Sequence, residues 1–219
     1  GKEVWIEASY NPVLRGGKVY KVIKIATDVT ERQLESADAR GKITAISRAQ
    51  AVIEFNLDGT IITANENFLK TLGYSLSDVQ GKHHRMFCEP SYAQSGDYAE
   101  FWRKLGSGEF VASEFLRIGK GGRRVYIQAS YNPIFDADGK VFKVVKFATD
   151  VTERVDNVNA LSEALEMLAG GDLTHQITVR FQPALEPLRL NYNKTSEGRA
   201  ENRRVETIMK ATTKEAQFQ

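Results

Sequence analysis

The chain has 219 residues, of which 42% are hydrophobic and 26% are charged, fractions that are typical of globular domains. Its formal net charge of +2 gives no strong field for nucleic acid, so nucleic acid is not an expected partner. No apolar run approaches the ~20 residues of a membrane helix. The single cysteine, Cys88, excludes an internal disulfide and favours a cytoplasmic location, in solution or on the cytoplasmic side of a membrane receptor.

One stretch of the sequence occurs twice. Residues 5–32 read WIEASYNPVLRGGKVYKVIKIATDVTER, and residues 126–154 read YIQASYNPIFDADGKVFKVVKFATDVTER. The two copies lie too far apart for a solenoid repeat, so the repeated unit is a whole domain. We therefore expect residues 1–32 to be the last strands of a first, truncated domain and residues 50–154 to be a complete second one. The whole chain is then expected to be a piece of a longer receptor-like protein.

The first copy and the segment after it have a simple pattern. Apolar and polar side chains alternate over residues 1–27, which predicts two strands. Asp28 follows as the predicted N-cap of a helix. Residues 33–49 are polar with scattered apolar positions, which predicts a linker helix that bends at Gly41.

The complete domain begins with two short strands, continues with several short helices and ends with three longer strands. Apolar positions recur at helical spacing over residues 97–105. The longer strands are predicted at residues 110–118, 123–133 and 140–149. Helices on one face of an antiparallel sheet make an α+β domain, which is the predicted fold class.

Several motifs of this domain, taken in order, resemble those of PAS domains. They are Asn65-Glu66-Asn67-Phe68, Gly73-Tyr74-Ser75, Asp78, Gly81, Trp102, the turn from Gly119 to Arg123, and Asp150-Val151-Thr152-Glu153-Arg154. The stretches GKHHRMFC and ASYNPI…KVVKFATDVTER resemble, more narrowly, the PAS modules of bacterial methyl-accepting chemotaxis proteins. The resemblance implies a five-stranded antiparallel sheet with short helices on one face. It also implies a sensor of a small ligand, redox state or gas in a chemotaxis receptor.

After the repeat, apolar residues recur at spacings of 3, 4 and 3 in two segments, which predicts two helices that each need a partner helix. The two sets are Val158, Leu161, Leu165 and Leu168, and then Leu185, Leu188, Tyr192 and Thr195. With Gly171-Asp172-Leu173 between them, residues 155–197 resemble a HAMP relay unit. This resemblance implies a homodimer through the PAS and HAMP helices, with a chemotaxis kinase and its adaptor as partners of the full protein. Residues 198–219 form an unassigned tail.

The irregular region after Gly81 contains the candidate cofactor ligands. Imidazole is a common axial ligand of haem, and some PAS chemoreceptors that resemble this chain bind haem through a histidine in this region. His83 and His84 are therefore candidate ligands of haem iron, and no other metal site is expected. Because the two residues are adjacent, we expect their side chains to point apart. The alternative is a surface loop with one buried, hydrogen-bonded histidine.

FAD is the second candidate cofactor, with Trp102 available to stack on the isoalloxazine ring. Light-sensing PAS domains have a reactive cysteine in an NCRF-type motif, and alignment with that motif puts His84 at the cysteine position. The sequence therefore argues against flavin–cysteine photochemistry. The alternative for Trp102 is ordinary core packing, and the alternative for Cys88 is an inert buried thiol.

No catalytic motif is present, because the sequence contains no HExxH, CxxC, GxSxG or phosphate-binding loop. We therefore expect a sensor and not an enzyme. The alternatives are the PAS-HAMP input region of a sensor histidine kinase or of a cyclic-dinucleotide enzyme, and a cofactor-free PAS dimerisation module.

Four residues are predicted to transmit the signal: Asp28, Thr30, Asp150 and Thr152. They lie where the last strand of each copy meets a helix, so the aspartate carboxylate can cap that helix and hold it to the sheet. Capping alone, worth about 1 kcal/mol, is the alternative. The repetition of Asp-Val-Thr-Glu-Arg at the end of both copies favours transmission.

Overall fold

The computed structural model describes residues 1–195 and 197–198, which fall into two compact units that meet between Ala51 and Val52. The unassigned tail at 198–219 lies outside the described residues except for Gly198. Within the described ranges, no helix is both long enough and apolar enough to cross a membrane.

The first unit is a β-hairpin followed by a helix. Strands β1 (Ile6–Arg15) and β2 (Lys18–Asp28) pair antiparallel. Helix α1 (Thr30–Ala49) is one continuous helix. The expected interruption of this helix at Gly41 is therefore wrong, because an interior glycine costs about 1 kcal/mol of helix propensity but leaves the backbone hydrogen bonds intact.

The second unit contains a five-stranded antiparallel sheet in the order β4-β3-β7-β6-β5, which confirms the predicted α+β class. Its strands are β3 (Ala51–Phe55), β4 (Ile61–Ala64), β5 (Val111–Ile118), β6 (Arg124–Phe135) and β7 (Val141–Asp150). Four short helices occur between β4 and β5, together with a 3-10 turn at His84–Phe87. The helices are α2 (Glu66–Leu72), α3 (Leu76–Val79), α4 (Pro90–Ala93) and α5 (Gly96–Gly106).

The core lies between one face of this sheet and the short helices. Helix α5 contacts β5 and β6, and its buried residues Tyr98, Phe101 and Leu105 recur at helical spacing. Side chains alternate across a strand, so every second residue of β6 faces this core. The buried β6 residues are Val125, Ile127, Ala129 and Tyr131.

After β7 the chain forms α6 (Thr152–Ala169), an extended connector and a second helix at residues 186–195. Near the start of α6, Asn157 Oδ1 accepts a hydrogen bond of 2.8 Å from the backbone N–H of Gln182. Further along, the Tyr192 hydroxyl donates to the carbonyl of Ala164 at 2.7 Å. The end of the connector thus lies beside the start of α6, and the second helix then passes a point seven residues further along α6, so the two helices run parallel.

A small apolar cluster fills the space between these two helices. Its buried members are Ala164, Ile177, Phe181 and Tyr192. Of the first predicted apolar set, Leu161 and Leu168 pack against this cluster, whereas Val158 and Leu165 are at least half exposed. Half of this apolar set therefore packs inside the chain, and the other half is exposed to solvent on the outer face of α6.

Candidate functional site

A strand-like contact positions the two histidines. The backbone N–H of Ile61 donates to the carbonyl of Lys82, and the backbone N–H of His84 donates to the carbonyl of Gly59, both at 2.8 Å. Successive residues of an extended backbone point to opposite sides. His84 therefore enters the core, where it is fully buried, while His83 stays partly exposed.

His83 covers the turn between β3 and β4. Gly59 has φ +85°, and a Cβ added there would lie 2.8 Å from Cε1 of His83 and 3.1 Å from Cζ2 of Trp102. Glycine is thus required for its positive φ and for the close approach of the imidazole. The Nδ1 atom of His83 accepts a hydrogen bond of 3.2 Å from the backbone N–H of Arg85.

His84 is surrounded by aromatic side chains. Its Nδ1 lies 3.0 Å from the Tyr98 hydroxyl, and its Nε2 lies 3.0 Å from the Tyr131 hydroxyl. Six ring centroids lie 5.3–6.3 Å from that of the imidazole: Phe55, Phe87, Tyr98, Phe101, Trp102 and Tyr131. Burial, followed by nearby positive charges, holds the pKa of His84 well below its usual range, so the ring is neutral.

These contacts assign a direction to the hydrogen bonds. Nη2 of Arg117 donates to the Tyr131 oxygen at 3.1 Å, and burial raises the pKa of Tyr131 to about 12, so its hydroxyl keeps its proton. The Tyr131 hydroxyl therefore donates its hydrogen bond to Nε2 of His84. The neutral ring then has its hydrogen on Nδ1 and donates it to Tyr98, an assignment that follows from the network. The order is Arg117, Tyr131, His84, Tyr98.

Two cationic side chains are buried in the same core. Arg117 is 2% exposed and Lys146 is 1% exposed. Nη1 of Arg117 donates to the carbonyl of Leu116 at 2.8 Å, while its Nε is buried without a hydrogen-bond partner. The ammonium of Lys146 lies 4.8 Å from the centroid of the Tyr131 ring and 5.5 Å from that of Phe68. Burial, and then the charge of Arg117, holds the pKa of Lys146 well below its usual range.

At the exit of the sheet, it is the side chain of Thr152, and not that of Asp150, that forms a hydrogen bond with the neighbouring strand. Oγ1 of Thr152 accepts a hydrogen bond of 3.0 Å from the backbone N–H of Tyr126 in β6. Asp150 Oδ1 accepts from the backbone N–H of Thr152 at 2.9 Å. The N-cap residue of α6 is Val151, so Asp150 caps the first N–H of the helix from the position before the N-cap.

The first unit has the same geometry at the start of α1. Thr30 Oγ1 accepts from the backbone N–H of Trp5 at 2.8 Å, and Asp28 Oδ1 accepts from the backbone N–H of Thr30 at 2.9 Å. Its N-cap residue is again a valine, Val29, in place of the expected Asp28. In both copies, therefore, the threonine holds the helix to the preceding hairpin, at Tyr126 in β6 and at Trp5, the residue just before β1.

Residues 47–156, half of the chain, match the family model described as PAS fold. The chain belongs to the PAS family. The short helices and the five-stranded sheet of the second unit are accordingly a PAS domain, and the buried network of Arg117, Tyr131, His84 and Tyr98 is in its interior.

Three relatives of this PAS chain are a biofilm dispersion protein, an oxygen sensor and an aerotaxis receptor by name. The biofilm dispersion protein BdlA of Pseudomonas aeruginosa is 45% identical over 161 residues, which are 73% of this chain and 39% of BdlA. The oxygen sensor protein DosP of Escherichia coli is 22% identical over 70% of this chain and 19% of its own length. The aerotaxis receptor of Escherichia coli is 28% identical over 50% of this chain and 22% of its own length. The chain thus spans well under half of each relative.

The PAS interior does not fit a haem ligand at either histidine. Both ring nitrogens of His84 are hydrogen-bonded to tyrosines, so iron at either nitrogen would have to displace a hydroxyl. Nδ1 of His83 accepts from Arg85, and its Nε2 lies 3.3 Å from the Arg85 guanidinium. Among the residues described, no three His, Cys, Asp or Glu side chains group to hold a metal ion.

Trp102, the candidate flavin contact, packs as part of the PAS core. Its ring lies edge-to-face with those of Phe55, His84 and Phe101 at centroid distances of 5.5–5.7 Å. Burial also raises the pKa of the Cys88 thiol, so this cysteine is not an activated thiolate.

The buried pair Arg117 and Lys146 was missed by the sequence reasoning, although a signal existed. Lys143 and Lys146 are three residues apart on one strand, so they must face opposite sides of the sheet. Lys143 reaches Glu54 at 2.7 Å, with each side chain 27% exposed. The other lysine, Lys146, therefore points into the core.

Proposed function

We propose that this PAS domain is the sensory part of a signal-transduction protein and that it catalyses no reaction itself. The observation that carries the proposal is the contact between Thr152 and Tyr126. The first turn of α6 is hydrogen-bonded to a strand that also lines the buried network through Tyr131. A change in the interior that shifts β6 therefore acts on the base of the output helix. A ligand produces such a change only if it binds the two states with different affinity.

We further propose that residues 155–197 relay this shift as a HAMP-type unit in a homodimer. The parallel course of α6 and the helix at 186–195 supports this proposal, because a parallel pair from each of two chains makes the four-helix bundle. Val158, Leu165 and Leu188 leave apolar surface open for a partner helix. Asn193 fastens the connector by accepting from the backbone N–H of Ile177 at 3.0 Å.

In the longer protein, the relay would reach a kinase-control region and its chemotaxis kinase and adaptor, on the cytoplasmic side. Residues 1–32 would be the last strands of a first PAS domain, and α1 would be the linker to the second. The similarity to DosP and to the aerotaxis receptor, both named as sensors or receptors, supports this setting.

The proposal is tested by a spin label at Glu163→Cys on the exposed side of α6, in a Cys88→Ala background. Pulsed electron–electron double resonance should give one defined distance between the two spin labels of a dimer. Thr152→Val should shift or broaden that distance, because it removes the hydrogen bond from the backbone N–H of Tyr126 and leaves the bond from the backbone N–H of Val151 to the Tyr126 carbonyl to hold the helix alone. Thr149→Val, the same change at an exposed position of β7, is the matched control and should leave the distance unchanged. A monomer, or identical distances in both variants, would contradict the proposal.

A further inference from the structure

The two buried cations lie on the core-facing side of the sheet, on strands that flank β6. Lys146 of β7 is directly opposite Tyr131 of β6 in the strand register, and Arg117 of β5 donates to the hydroxyl of that tyrosine. Tyr131 therefore lies between the two positive charges. The Phe68 ring from α2 contacts the ammonium, and the Phe115 ring contacts the guanidinium at 4.6 Å.

Among the residues described, no carboxylate forms an ion pair with Arg117 or Lys146, whereas Lys143 on the opposite face pairs with Glu54. A buried charge without a counter-ion is strongly unfavourable. Burial lowers the pKa of Lys146 well below its usual range, whereas a guanidinium keeps its charge in proteins. The unpartnered Nε of Arg117 thus remains a buried donor that lacks an acceptor.

The tyrosine–lysine pair is present in both copies of the repeat. In the first unit, Lys24 is opposite Tyr10 in the register, and its ammonium lies 5.4 Å from the centroid of that ring. In the second, Lys146 and Tyr131 repeat this arrangement at 4.8 Å. A lysine directly opposite a tyrosine in the strand register is therefore a feature of the repeated unit.

We propose that the PAS interior binds a small organic acid, with its carboxylate as the acceptor for Nε of Arg117 and as a counter-ion for Lys146, and its apolar body against the rings of Phe68 and Tyr131. A carboxylate supplies the missing acceptor for Nε and a counter-ion for the buried cations, and its charge-assisted hydrogen bonds are stronger than neutral ones. Aromatic rings favour an acid with an apolar body over an inorganic anion. The inference rests on the proposed sensory function, because the acid is the ligand whose binding the domain reports.

Binding of benzoate and of hexanoate to the 219-residue chain tests this site by calorimetry at constant ionic strength, with benzamide as the uncharged probe. We expect saturable binding of at least one acid, roughly ten-fold or more tighter than benzamide, because a charge-assisted hydrogen bond is lost in the amide. Lys146→Met and Arg117→Met should each abolish this preference. Lys143→Met removes a lysine from the same strand and should bind as the original chain does.

Folding of each variant is checked by circular dichroism, and Arg117→Gln replaces Arg117→Met if the latter does not fold. The site is rejected if neither acid binds saturably or if Lys146→Met binds them equally well. If an acid binds but leaves the spin-label distance at Glu163→Cys unchanged, the site stands and the sensory relay fails. If Thr152→Val alters that distance while neither acid binds, the relay stands and the acid site fails.

Discussion

The Tyr131 hydroxyl lies 3.0 Å from Nε2 of His84, and both groups are fully buried. Arg117 donates to the same hydroxyl, so the Tyr131 oxygen accepts a hydrogen bond from a cation. The hydroxyl in turn donates its hydrogen to the neutral imidazole of His84. A protonated His84 would place a further charge beside Arg117 and Lys146. The network therefore requires the neutral ring, which has a consequence for the pH dependence of folding.

The free energy of unfolding should fall as the pH falls below 6.5, the ordinary pKa of histidine. Burial lowers the pKa of His84 in the folded chain, so the unfolded chain binds more protons below that pH. The loss should be about 1.4 kcal/mol per pH unit until the folded-state pKa is reached. Urea denaturation between pH 5 and pH 8 measures this slope. His84→Gln should flatten it, whereas His83→Gln should retain the contribution of His84. Equal slopes for the original chain and His84→Gln would contradict the prediction.

Lys146→Met should raise the free energy of unfolding at neutral pH by about 1–4 kcal/mol, because an unpaired buried charge is replaced by an apolar side chain of similar length. Burial lowers the pKa of Lys146 in the folded chain, so the original chain gains stability as the pH rises toward 10.5, and the advantage of the variant should shrink over that range.

Lys143→Met is the matched control for this prediction. It breaks the partly buried pair with Glu54 and should lower the free energy of unfolding by up to ~1 kcal/mol. Denaturant titration of the three proteins at pH 7 and pH 9 gives the comparison. A destabilised Lys146→Met would show that the ammonium is well solvated in the folded chain.

Gly59→Ala should destabilise the PAS domain more than Gly121→Ala does. Both glycines have a positive φ, +85° and +74°, so each substitution has a backbone cost of about 1–2 kcal/mol. At Gly59 the new methyl group also meets the His83 imidazole at 2.8 Å, whereas at Gly121 it meets nothing within 4 Å. The difference between the two melting temperatures isolates the contact with His83. Equal losses would mean that His83 moves aside freely.

Thr152→Val should lower the free energy of unfolding by about 1 kcal/mol, because it leaves the backbone N–H of Tyr126 without its acceptor. Thr149→Val should change stability by less, since Thr149 is exposed and valine suits a strand. Asp150→Asn keeps an acceptor for the N–H of Thr152 and should also have a small effect. Chemical denaturation of the three variants tests this order. A larger loss of unfolding free energy for Asp150→Asn than for Thr152→Val would show that the aspartate contributes more than the threonine to holding α6 in place.

The fold was predictable from the sequence because its signals are local. Alternation in β6 and β7, the helical spacing in α5 and the turn at Asp58-Gly59 each act within a few residues. The division of the two histidines between surface and core also followed from their adjacency. A propensity argument did mislead at Gly41, where the neighbouring residues keep the helix intact.

The candidate site was less predictable because it depends on strand register. Whether Tyr131 lies opposite Lys146 is set by the pairing of β6 with β7, which a single sequence does not reveal. The choice between Asp150 and Thr152 depends on the backbone of Val151, with φ −120° and ψ 15°, which turns the threonine toward β6. Composition does not distinguish these two neighbouring polar side chains.

The fixed order of donors from Arg117 to Tyr98 means that an event at the guanidinium is recorded as the position of a single hydrogen on His84. If an acid draws Arg117 away, the Tyr131 oxygen becomes free to accept from Nε2, and the imidazole can exchange one tautomer for the other. Nitrogen-15 chemical shifts distinguish the two forms directly. With only three histidines in the chain, the ring spectrum is small enough to assign by substitution. The domain thus contains its own spectroscopic reporter, which needs no attached label.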